Sequence, residues 1–73
     1  MSNQIDHDNA GTLFTHALEL HQAGKLREAE IVYGQVLTSD DKHVNALTCL
    51  GTLHLQQGQQ EEGIRLIGRS LEL

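Results

Sequence analysis

The chain of 73 residues has no proline, no tryptophan and a single cysteine. Without proline, nothing in it forces a helix to break. The lone Cys49 excludes an intramolecular disulfide framework and any Cys-x-x-Cys metal motif. It points instead to a reducing compartment with a free thiol. Phe14 and Tyr33 are the only large aromatics, too few for a base-stacking platform. Positive charge is also scarce. Lys25, Arg27, Lys42, Arg65 and Arg69 are scattered among ten acids, for a formal net charge of -5. No basic patch exists to neutralise phosphates, so no nucleic-acid partner is expected. No apolar run approaches the ~18 residues of a membrane span, so no membrane partner is expected either. Residues 1–9 lack the basic start and apolar stretch of a secretory signal. The expected location is cytoplasmic.

What remains is rich in Leu, Ala, Glu and Gln, which favours helix. The length allows one small domain with a thin core. Residues 1–9 read as a flexible leader, with Asp8 or Asn9 able to cap a first helix. That helix runs over about residues 10–23, on a stripe of Leu13, Ala17 and Leu20 with Phe14 and Leu18 beside it. Gly24 ends it. A second helix covers about 26–37 with Ala29, Tyr33, Val36 and Leu37 on one side. The polar break Thr38-Ser39-Asp40-Asp41 follows, and Asp40 or Asp41 is the expected cap of a third helix ending near Gln57. Gly58 closes that one, and a fourth continues from about residue 59 or 60 to the end. Connections of two or three residues at Gly24 and Gly58 make each pair a hairpin. The expected fold is all-α.

The two hairpins are copies of each other at an offset of 34 residues. Leu13 aligns with Leu47, Gln22 with Gln56, Gly24 with Gly58, Glu28 with Glu62, Gly34 with Gly68 and Leu37 with Leu71. Small residues correspond as well, Ala17 with Gly51 and Ala29 with Gly63, which lets paired helices approach closely. A fixed period of this size is the mark of a stacked repeat.

On these residues the chain resembles two tetratricopeptide repeats over nearly its whole length, repeat one about 10–43 and repeat two, truncated, about 44–73. The pattern is a large apolar residue (Leu13, Leu47), a small one (Ala17, Gly51), a large one (Leu20, His54), and a turn glycine (Gly24, Gly58). It continues with a small residue (Ala29, Gly63), a large one (Tyr33, Ile67) and a leucine (Leu37, Leu71). The run LHQAG…EAE..Y.QVL is similar to bacterial members, including arrays that precede glycosyltransferase domains. Departures are Asp41 where the family often has proline, His16 opposite Leu50, and interior glycines at 34, 63 and 68. Glu19 and Thr12 align with Leu53 and Ala46, on the face that packs against a preceding repeat. Their polarity marks the first hairpin as the start of the stack. No polar capping helix follows the fourth helix.

Catalytic and metal chemistry find little support. His16 and His21 are five apart and diverge on a helix. His7 and His43 read as solvated, and the resemblance places His54 in the packing between paired helices. A zinc site would need ligands from several helices or chains; no metal or cofactor is expected. Cys49 has no base at a local signature spacing and reads as a buried or groove-lining thiol. Glu28, Glu61 and Glu62 suit the positive ends of their helices. Gly58, Gly63 and Gly68 match no phosphate loop. The chain is expected not to be an enzyme.

The resemblance implies a protein–protein interaction module whose first helices line a concave groove for a peptide or helix. The groove residues are Phe14, Leu18 and His21 in the first helix, and Asn45, Thr48, Thr52 and Leu55 in the third, flanked by Gly11, Gln22 and Gln56. The carboxylate-gripping subclass uses Lys, Asn and Arg; here those places hold Phe14, Leu18 and Cys49, so a chaperone tail is not the expected ligand. The unfinished end exposes Ile64, Ile67 and Leu71 and implies self-association into a homo-oligomer. The alternative is a substrate-recruiting start of a larger enzyme such as a glycosyltransferase, and histidine-mediated metal binding is a further one.

Overall fold

A computed structural model describes the backbone of residues 5–73 and the side chains from Ala10 onward. The chain is all-α, with four helices in order: α1 (Ile5–Gln22), α2 (Leu26–Ser39), α3 (Val44–Gln56) and α4 (Gln60–Glu72). Helices pack consecutively, α1 on α2, α3 on α4, and α2 on α3, which makes two joined hairpins. No helix among the described residues is long and apolar enough to cross a membrane.

α1 begins earlier than its apolar stripe suggests. Asp8 and Asn9, expected as caps, lie inside the helix. No proline interrupts the stretch. Residues 1–4 of the expected leader, and the side chains of residues 5–9 including His7, lie outside the described residues.

Both hairpin turns are built alike. Gly24 has φ +81° and Gly58 φ +82°, in the left-handed region where a Cβ is penalised. At the first turn the amide of Gly24 donates to the His21 carbonyl (3.0 Å) and that of Lys25 to the Leu20 carbonyl (2.9 Å). At the second, Gly58 donates to Leu55 (3.1 Å) and Gln59 to His54 (2.8 Å). This is the Schellman pattern twice over, satisfying the last carbonyls of α1 and α3.

The turn between hairpins is different. Asp40 is extended, and its amide closes α2 by donating to the Val36 carbonyl at 2.8 Å. Its side chain accepts from the Lys42 amide at 3.1 Å. That aspartate is committed to the turn, so the expected Asp40 or Asp41 cap of α3 does not form. His43 caps α3 instead: its Nδ1 accepts from the Ala46 amide at 3.1 Å. His43 is therefore half-buried rather than solvated, and its ring lies 5.0 Å from that of Phe14.

The core runs along the seams between helices. Ala17 and Ala29 are fully buried, as are Tyr33, Val36, Ala46, Leu47 and Leu53. Each large side chain so buried contributes about 1.5–3 kcal/mol relative to exposure. The second hairpin is closed more tightly. A Cβ on Gly51 would stand 2.9 Å from the Gly63 carbonyl oxygen, and one on Gly63 would stand 2.7 Å from that of Gly51.

Candidate functional site

The groove residues divide between structural work and open surface. Phe14 is half-buried, its ring 6.1 Å from that of Tyr33. Leu18 is also half-buried. His21 Nδ1 lies 3.0 Å from the Tyr33 hydroxyl, and His21 Nε2 lies 2.7 Å from Gln56 Oε1. A neutral imidazole satisfies both partners in one tautomer. Nε2–H donates to the Gln56 oxygen, and Nδ1 accepts from the Tyr33 hydroxyl. This bridge ties the C-terminal ends of α1 and α3 through α2.

Tyr33 is fully buried, and burial pushes its phenol well above the ordinary value of 10.0; the neighbouring Cys49 thiol pushes in the same direction. Cys49 is a half-buried free thiol.

On α3, Asn45, Thr48 and Thr52 are exposed. Thr48 also donates to Ser70 Oγ of α4 at 3.1 Å, and Ser70 donates in turn to the Ile67 carbonyl at 2.7 Å. Thr52 folds back onto the Thr48 carbonyl at 2.9 Å. Leu55 leans over Gly63, whose added Cβ would meet Leu55 Cγ at 2.8 Å, so this leucine belongs partly to the α3–α4 seam. The structure thus sets Phe14 beside His43 at the start of α3 and links His21, with Tyr33, to Gln56 at its end. It leaves Asn45 as the freest of the expected groove residues, with Thr52 exposed but its hydroxyl donated to the Thr48 carbonyl.

The expected self-association residues also separate. Ile64 is 64% exposed and Leu71 82% exposed. Ile67 is half-buried with its side chain over Gly51, at the position that aligns with Tyr33, so part of it packs in the α3–α4 seam. Leu73, also exposed, was not singled out by the repeat pattern.

A depression of about 620 Å³ opens where the hairpins meet, lined by Glu30, His54, Gln59, Glu61 and Glu62 among others. Sequence reasoning missed it. His54 is buried as expected; its Nδ1 bonds Gln59 Oε1, and its Nε2 faces Glu30 Oε2 at 4.0 Å. Arg65 pairs with Glu62 at 2.5 Å and holds that carboxyl below its usual range. The one available signal was the alignment of Glu28 with Glu62, which puts an acid at the start of α4. Among the described residues no group of three or more His, Cys, Asp or Glu is arranged to hold a metal ion.

Compared with known proteins, the chain matches no family model, no curated protein and no solved structure.

Proposed function

We propose that this chain is a non-catalytic helical-repeat module of the tetratricopeptide type that binds protein partners. It takes an extended peptide or a helix on the open side of α1 and α3, and it associates with itself through α4. One observation carries the reading. Two hairpins 34 residues apart are closed by the same device, a left-handed glycine flanked by a pair of small residues, one on each helix of the seam. Equivalent hairpins set equivalent helices side by side, and the His21–Gln56 bridge joins α1 to α3. This supports a shared surface on the two first helices, where Asn45 is exposed and the Thr52 oxygen can still accept a bond from a partner backbone. The open side chains there are amides, hydroxyls and leucine, groups suited to recognition.

Selection of peptides from a displayed random library against the purified chain tests the proposal. Peptides should be enriched whose binding is lost on Asn45→Arg or Thr52→Arg with the unfolding midpoint unchanged. Both positions are exposed, so the fold should tolerate arginine. Enriched peptides indifferent to both substitutions, or no enrichment, would contradict the groove assignment.

A further inference from the structure

We infer that the exposed face of α4 pairs with α4 of a second copy of this chain, antiparallel, about a two-fold axis near Gly68. This rests on the self-association part of the proposed function and adds the partner's orientation and register. Ile64, Gly68 and Leu71 stand at i, i+4 and i+7, so they share one face of α4. Ile64 and Leu71 are two of the most exposed apolar residues in the protein, and nothing among the described residues covers them. Gly68 lies between them, and a Cβ there would meet no atom within 4 Å. A helix interior normally loses about 1 kcal/mol by having glycine in place of alanine. The open space over Gly68 leaves a second helix room to approach the backbone there.

Charge settles the direction. Arg65 and Glu72 sit one position beyond Ile64 and Leu71, along one edge of that face. When two copies of α4 run antiparallel across Gly68, Ile64 of each meets Leu71 of the other. Arg65 of each, which already holds Glu62 of its own helix, then comes to Glu72 of the other as a second acid, twice by symmetry. A parallel pairing would leave Arg65 and the partner's Glu72 about 10 Å apart along the helix axis and form neither pair. Head-to-tail stacking fails for another reason. The face of α1 equivalent to the buried side of α3 carries Thr12, His16 and Glu19, all exposed. Docking it on α4 would bury the Glu19 carboxylate against isoleucine and leucine without a partner.

Sedimentation velocity of the full chain over a micromolar concentration series, with a cross-linking variant, tests this. The expected result is a reversible equilibrium that saturates at two copies, weakened about tenfold or more by Leu71→Glu. In a Cys49→Ser background, Gly68→Cys should link two chains under oxidised glutathione, because position 68 meets its own mate only at a two-fold crossing. Ser39→Cys, exposed on α2, should stay unlinked under the same conditions. Circular dichroism should show unchanged helix in each variant. A chain that remains monomeric overturns self-association and this geometry together. A dimer that Leu71→Glu dissociates but Gly68→Cys does not link keeps the self-association and overturns the two-fold pairing. Growth beyond two copies overturns it in favour of head-to-tail stacking.

Discussion

Gly51 and Gly63 face each other across the second hairpin so closely that a methyl group on either would reach the other's carbonyl oxygen. The side chains of Ile67 and Leu55 close over the same spot. Backbone, unlike a flexible side chain, cannot step aside. Gly51→Ala or Gly63→Ala should therefore destabilise the protein by about 1–3 kcal/mol, although alanine is the better helix former. Gly34→Ala, where an added Cβ meets nothing, should gain up to about 1 kcal/mol. Urea unfolding of the three variants checks the opposite signs.

The amino-acid pattern disclosed each hairpin well and the joint between hairpins poorly. Gly24, Gly58 and the small pairs Ala17–Ala29 and Gly51–Gly63 act between helices that are neighbours in sequence, so local rules place them. The contacts His21–Gln56 and His54–Glu30 depend on the angle at which one hairpin meets the next, which no local periodicity encodes. The cap by His43 escapes residue-type rules for a related reason. Asp40 and Asp41 are better caps by residue type, but the turn uses Asp40 before α3 begins. Ile67 is half-buried because its side chain fills the space over Gly51, a contact its alignment with Tyr33 already implies.

The imidazole cap supplies a second prediction. His43→Ala removes both the acceptor for the Ala46 amide and a ring beside Phe14. A loss of about 0.5–2 kcal/mol is expected. His43→Asn restores the acceptor but not the ring, and should recover part of that loss. Equal stability of the two variants in thermal unfolding would show that capping contributes nothing.

Tyr33 gives a pH dependence whose sign follows from its burial. Its phenol titrates higher in the folded state than in the unfolded chain, where the ordinary value is 10.0. The folded state therefore holds its proton longer. The stabilisation is fully present below pH 10 and is lost as pH rises through and above it. Tyr33 is the one tyrosine, so phenolate absorbance reports it alone. Folded protein should resist this ionisation until it unfolds, and the two transitions should coincide. Tyr33→Phe should flatten the alkaline loss while costing about 1 kcal/mol near neutrality through the bond to His21.

At the other end of the scale, Glu62 is held low first by its hydrogen bond to Arg65 and then by that charge. Arg65→Ala should return the Glu62 carboxyl toward its ordinary range in an NMR titration. For a depressed carboxyl, the pair's contribution is present above the unfolded value and lost as pH falls through the folded one. This ion pair is on the surface, so overall stability should hardly change.

The claim that α4 is an interaction surface is tested most directly by backbone amide NMR spectra recorded over a dilution series. Concentration-dependent shifts should concentrate at Ile64, Gly68 and Leu71, while Ala17, Ala29 and the turn at Gly24 stay fixed. Spectra that do not move with concentration, or movements centred on α1, would contradict the account.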